Sequence, residues 1–327
     1  MSAGARRGRG ADRLAPLALI LAPIVVVAGA WLAFGRERDE RPERPRVAVA
    51  TGSEAQVGAL EGGGSLEGRS PAAIRLTGVD AFSLRFRRPP RAALVFDLDS
   101  GEALFRRSAL RARPIASLTK IMTALLVVQA SAPDDRVRIT PAALRYEGSG
   151  VGVLPKGRAV RLETLLNGLM LVSGNDAAIA LAVHVSGSER RFVRLMNEQA
   201  RLWGLTCTRF ASAHGLEDGN RSCPEDLAVL TRLAMREPRI ARIARRGRAS
   251  FGFPIKGGRL FLAGHNPLLR LGYRGAIGLK TGYTVGAGAC FVGVARRAGR
   301  TLGVVLLDSP DPGRQASRLL DLGFRAG

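Results

Sequence analysis

The sequence predicts an α+β domain in which an antiparallel sheet is assembled from both ends of the folded body, with a helical region inserted between them. Three observations carry this. Two short apolar runs, residues 92–96 and 103–105, flank the turn Asp99-Ser100-Gly101 and read as a hairpin. Apolar residues then recur at helical spacing through the middle of the chain. Strand-like runs return near the end, at residues 276–279, 290–295 and 302–307, the last two joined by a turn at 296–300.

Each helix has its own signal. After Pro114, the residues Ile121, Met122, Ala124, Leu125 and Val128 leave almost no polar face, so this helix is expected at the domain centre. Leu162, Leu165, Leu166 and Leu169 mark a second helix, and Phe192, Met196, Ala200 and Trp203 a third. Pro224 opens another through Leu227, Leu230 and Leu233. Leu319, Leu320, Leu322 and Phe324 suggest a closing helix.

The chain has 327 residues, 50 of them Lys or Arg against 27 Asp or Glu, a net charge of +23. Only four of the 50 are lysines, so each lysine carries information. Such a surplus suggests an anionic neighbour: nucleic acid, phospholipid or cell envelope. Residues 14–34 decide between them, being uncharged, mostly apolar and long enough to cross a bilayer. Arg6, Arg7, Arg9 and Arg13 precede the run, which favours a cytoplasmic N-terminus and an exported body. The segment reads either as a membrane-spanning helix or as a signal peptide cleaved near Ala28-Gly29-Ala30. Residues 1–13 are then a cytoplasmic basic tail, 14–34 the membrane or signal segment, 35–90 a flexible linker rich in Arg, Glu, Pro and Gly, and 91–327 the folded domain. Export makes nucleic acid an unexpected partner. Of the three cysteines, Cys207 and Cys223 are expected to pair and Cys290 to be a buried thiol. His184, His214 and His265 lack metal-ligand spacing, so neither a metal nor a cofactor is expected.

Ser117-Leu118-Thr119-Lys120 stands at the start of the central helix. A spacing of three puts both side chains on one face, where the amine can reach the hydroxyl, and burial lowers a lysine pKa as a general base requires. Ser173-Gly174-Asn175 falls in an interhelical loop and offers a hydroxyl and an amide. Lys280-Thr281-Gly282 ends the first C-terminal strand, where a strand edge can pair with an extended peptide and Gly282 permits close approach. Each motif alone is weak; together and in this order they match a known set.

On these residues, with the flanking segments 114–124, 173–178, His214-Gly215-Leu216 and 278–284, the chain resembles the low-molecular-mass penicillin-binding proteins, D-alanyl-D-alanine carboxypeptidases of the S11 serine peptidase type. The resemblance implies a β-lactamase/transpeptidase-like fold. It implies Ser117 as the acylated nucleophile, Lys120 as its base, Ser173 and Asn175 as the second motif, and Lys280, Thr281, Gly282 and Tyr283 as the substrate-binding strand, with an oxyanion hole from the N–H groups of Ser117 and Tyr283. Its implied partners are a peptidoglycan stem peptide as substrate, β-lactams as covalent inhibitors, and the membrane through the N-terminal segment.

Family members commonly carry a second, β-rich domain and a C-terminal anchor, whereas 45 residues follow Gly282 here, so anchoring is expected from residues 14–34. Arg314 lies near the position of a carboxylate-binding arginine, with its register shifted. A D,D-endopeptidase and a serine β-lactamase share the motifs, but Gly174 stands where class A β-lactamases usually carry Asp, and no convincing deacylating Glu follows. A non-catalytic envelope-binding module is the reading from another class.

Overall fold

The computed structural model describes residues 72–326 of the chain. The basic tail, the apolar segment and residues 35–71 of the expected linker lie outside the described residues. Among the described residues, no helix is long and apolar enough to cross a membrane.

The chain enters the sheet through β1 (Ala92–Asp97) and β2 (Ala103–Arg107). It closes the sheet with β3 (Ala276–Thr284), β4 (Gly288–Arg297) and β5 (Arg300–Leu307). The order across the sheet is β2-β1-β5-β4-β3 and every pairing is antiparallel. Pairing of β1 with β5, Leu94 opposite Val305, joins the two ends of the domain as the hydrophobic pattern implied. Alternate residues of β1 serve different cores. Leu94 and Phe96 face the helical region, while Ala93 and Val95 face the closing helix α6 (Pro312–Arg325). Both faces of the sheet are therefore covered, which is why all six residues of β1 are buried.

The inserted region is built on α1 (Lys120–Ala130), whose residues 120–127 are all buried. Around it pack α2 (Leu162–Leu171), α3 (Asn175–Ser186), α4 (Glu189–Leu202) and α5 (Pro224–Arg236). Ser188 caps α4 by accepting the Arg191 N–H, and Pro224 occupies the first turn of α5, where its missing N–H costs nothing.

Three differences from the sequence reading stand out. Residues 72–90, expected as flexible linker, are packed on the domain: Ala72 and Ile74 are buried, the Ala81 N–H donates to the Leu104 carbonyl, and the Phe82 ring stacks on Phe105 at 5.4 Å. Backbone hydrogen bonds along a strand edge and isolated anchors leave no periodicity to read. Strand β3 continues to Thr284, so Lys280-Thr281-Gly282 lies within the strand and not at its end. A hairpin of Arg248–Gly252 with Arg259–Ala263 went unread. Its alternation is masked in the second strand, where the apolar Phe261 and Ala263 occupy exposed positions.

Cys207 and Cys223 form a disulfide across 16 positions with Cα atoms 5.7 Å apart, and Cys290 is a buried thiol whose pKa burial pushes up to about 12. The bridge closes the loop that carries His214. Replacing both bridged cysteines by alanine should lower the unfolding free energy by about 3 kcal/mol, read from urea denaturation, because a closed loop of this length restricts the unfolded chain by roughly that amount.

Candidate active site

Ser117 sits in the 3-10 turn Ala116–Thr119 that leads directly into α1, so its hydroxyl and the first side chain of that helix share one face. Lys120 Nζ lies 2.9 Å from Ser117 Oγ, 2.7 Å from Asn175 Oδ1 and 2.6 Å from the His214 carbonyl oxygen. Burial holds the Lys120 amine well below its ordinary pKa of 10.5, and the neighbouring Lys280 lowers it further; the carboxylates of Asp176 and Glu217 only partly oppose this. A neutral amine has two N–H bonds and one lone pair. The two carbonyl-type oxygens can take the two N–H bonds, which leaves the lone pair for the Ser117 hydroxyl.

The second motif faces the first across the cleft. Asn175 begins α3, and its Nδ2 donates to the Glu147 carbonyl at 2.5 Å, which fixes which end of the amide meets Lys120. Ser173 holds φ at 61°, and Ala116, just before Ser117, holds it at 48°. Positive φ at a non-glycine costs energy and persists only where surrounding contacts over-determine it. One such residue thus precedes the first motif and the other opens the second.

Lys280 is fully buried, and its Nζ donates to Ser173 Oγ and to the Thr281 carbonyl oxygen, each at 2.9 Å. Burial lowers its pKa to about 7. Gly282 permits the approach of β3 to the Ser117 turn: a Cβ there would lie 2.9 Å from Ser117 N and 3.0 Å from the Ile115 carbonyl oxygen. Thr281 is half-buried, and Tyr283 is 70% exposed at the rim. Because β3 is the last strand of the sheet, its outer edge pairs with no other strand among the described residues. All eight expected site residues thus lie on three segments that meet around Ser117.

Two further contributors lie in the flanking segments, which carried no expected role for them. Asp176 is fully buried and accepts the N–H groups of Val151, Gly152 and Ala177, tying the 147–152 loop to the start of α3. An acid in the first turn of a helix is its only sequence signal. His214 meets Lys120 through its backbone carbonyl and not its ring. Arg314 lies inside α6 with its side chain 84% exposed and 3.8 Å from Asp311.

The sequence profile of Peptidase S11, described as D-alanyl-D-alanine carboxypeptidase, matches residues 88–311. The chain belongs to this family. It is 38% identical over 245 residues to the D-alanyl-D-alanine carboxypeptidase DacB2 of Mycobacterium tuberculosis, an alignment covering 72% of this chain and 82% of that protein. It is 31% identical to DacF of Bacillus subtilis, covering 72% of this chain and 62% of the relative. A D-alanyl-D-alanine endopeptidase of Haemophilus influenzae is 31% identical, with coverage of 68% and 77%. Among solved structures, a mutant Streptomyces K15 DD-transpeptidase superposes with a TM-score of 0.69 at 30% identity, covering 74% of this chain and all of the other. The β-lactamase/transpeptidase-like fold follows, and the S11 family makes this chain a peptidase.

Gly215 stands where the backbone beside Ser117 leaves no room. Its φ is +87°, and an added Cβ would run into the Ala116 carbonyl oxygen and lie 2.7 Å from Thr119 Oγ1. Gly215→Ala should lower the unfolding free energy by roughly 2 kcal/mol in urea, since both backbone strain and overpacking act there.

Proposed function

We propose that the protein is a serine-type D-Ala-D-Ala carboxypeptidase that removes the terminal D-alanine from peptidoglycan stem peptides through an acyl-enzyme. The observation that carries this reading is the buried Lys120 amine within hydrogen-bonding distance of Ser117 Oγ. Ser117 Oγ attacks the carbonyl carbon of the penultimate D-alanine while its proton passes to the Lys120 lone pair. The carbonyl oxygen, now an anion, is received by the N–H groups of Ser117 and Tyr283. Collapse expels the terminal D-alanine, whose nitrogen takes up the proton that Lys120 received from Ser117. Water then attacks the acyl carbon, Ser117 leaves with a proton, and the shortened peptide departs.

Binding roles divide along the cleft. Thr281 and Lys280 receive the substrate carboxylate, Asn175 the amide of the acyl chain, and the free edge of β3 pairs with the extended backbone. β-Lactams acylate the same serine. With Gly174 in the second motif and no deacylating glutamate assigned, their hydrolysis is slow. A D,D-endopeptidase is the second reading, supported by the endopeptidase relative. The charge asymmetry around residues 14–34 and the disulfide support action outside the cytoplasm, with that segment as membrane anchor or signal.

Fluorescent penicillin should label the native protein and not Ser117→Ala, and only the native protein should release D-alanine from a pentapeptide; labelling that survives in Ser117→Ala would reject the nucleophile. A pH series tests the base. A lysine whose folded pKa is depressed is neutral above that pKa and gains its proton as pH falls through it, so acylation by a β-lactam should decline toward acid with a midpoint below 10.5. Lys280→Gln removes the neighbouring amine that lowers Lys120, so the midpoint should move to higher pH whatever happens to the maximum rate.

A further inference from the structure

The chemistry of the cleft makes no use of the net charge of +23, and one end of the sheet gathers part of it around a cavity of about 410 Å³. Arg274, Arg297, Arg300 and Arg325 line this cavity together with Asp321 and Phe324. They come from the loop before β3, the turn joining β4 to β5 and the last turn of α6.

Two of the arginines are fixed. Arg297 lies between the rings of Tyr273 and Phe324, 4.5 and 4.8 Å from their centroids. It donates from Nη1 to Asp321 Oδ1 at 2.9 Å and from Nε to the Arg274 carbonyl at 3.1 Å. Arg300 donates from Nε to Asp97 Oδ2 at 3.0 Å and from Nη1 to the Gly323 carbonyl at 3.2 Å. In both, Nη2 makes no hydrogen bond among the described residues. Arg274 and Arg325 are exposed, and their side chains make no hydrogen bond or ion pair among the described residues. The one carboxylate in the cavity, Asp321, is already bonded to Arg297 and to the Tyr273 hydroxyl. Held guanidinium forks with spare donors, beside two unpaired positive charges, fit a phosphate.

The position of the cavity favours lipid as the source of that phosphate. The β1–β2 and β4–β5 turns both lie at this end of the sheet, with Asp97 opposite Leu302 and Arg297 opposite Arg300. The described chain also enters here, Arg75 pairing with Glu102 beside the β1–β2 turn. In sequence, residues 35–71 alone separate this entry from the apolar run 14–34. Arg75, Arg232 and Arg296 stand against Asp99 and Glu102 on the flanking turn, so this end as a whole stays positive. The catalytic strand lies away from it: Gly282 pairs with Cys290, about 23 Å along β4 from Arg297.

We propose that the arginine cavity binds the phosphate of an anionic phospholipid head group, so that the end of the sheet where the chain enters rests on the membrane and the cleft stands clear of it. The proposal rests on the reading of residues 14–34 as a membrane anchor and adds to that tether a fixed orientation of the domain.

The test uses the full chain with a fluorophore on Ser100→Cys, on the exposed β1–β2 turn; Cys290 is buried and does not compete for the dye. The protein is reconstituted in vesicles of phosphatidylcholine, alone or with a third phosphatidylglycerol, each carrying a tracer lipid with a nitroxide on its head group. Quenching reports the ratio of docked to undocked domain. Phosphatidylglycerol should raise that ratio and 1 M salt should abolish the gain. Arg274→Gln/Arg325→Gln should lower the ratio about thirtyfold, the scale of two arginines at an anionic surface, while penicillin labelling stays at the native level. No gain with phosphatidylglycerol, or a gain that the double variant keeps, overturns the docking site. Flotation with phosphatidylcholine vesicles reports the anchor separately. If the full chain does not float, the anchor reading fails, and the docking site stands only where phosphatidylglycerol vesicles carry the native protein and not the double variant. Binding of soluble poly(glycerol phosphate) with no response to lipid overturns the proposal and gives the cavity to a wall polymer.

Discussion

A lysine amine without a carboxylate in direct contact, sealed in the centre of a protein, is the constraint around which this domain is arranged. Charging Lys120 where it stands is costly, because burial removes the water that would solvate the ammonium and Lys280 adds repulsion. The fold meets the difficulty with neutral acceptors. Asn175 Oδ1 and the His214 carbonyl lie 2.7 and 2.6 Å from the nitrogen and can take its two N–H bonds, with no counter-charge in contact to restore its basicity, while Ser117 Oγ stands 2.9 Å away on the side left to the lone pair.

Those acceptors explain much of the surrounding structure. The His214 carbonyl comes from a loop anchored by the disulfide at its ends and by Gly215 packed against the Ala116 carbonyl. Asn175 is oriented by the Glu147 carbonyl, and that loop is in turn held by the Asp176 carboxylate. Lys280 reaches Ser173 from the far end of the chain, through a strand that the sheet places beside Ser117. Three segments distant in sequence are thus held together by groups that are themselves buried and bonded, which is the preorganisation that acyl transfer needs.

How much of this the sequence displayed depended on whether side chains or backbone carried the interaction. Ser117, Lys120, Ser173, Asn175 and Lys280 act through distinctive side chains, and their motifs exposed them. The carbonyls of Glu147 and His214 do as much to hold the site, yet any residue has a carbonyl, and nothing in the sequence marks which one will point at an amine. The same distinction governs the fold. The helices and the paired ends of the sheet announced themselves through the period of their apolar residues, whereas residues 72–90 lie along the domain through edge hydrogen bonds and single anchors such as Phe82.

The chemistry of the site also accounts for an oddity of composition. Arginine is the usual cation of this chain: 46 of the 50 basic residues are arginine. An arginine at position 120 would hold its proton under any ordinary condition and offer Ser117 no lone pair. At position 280 a guanidinium would not fit a fully buried slot between Ser173 and the Thr281 carbonyl without stranding several donors. Of the four lysines, Lys156 and Lys256 are exposed, and Lys120 and Lys280 are buried. At position 120 the alternative cation could not be discharged, and at position 280 its donors could not all be satisfied.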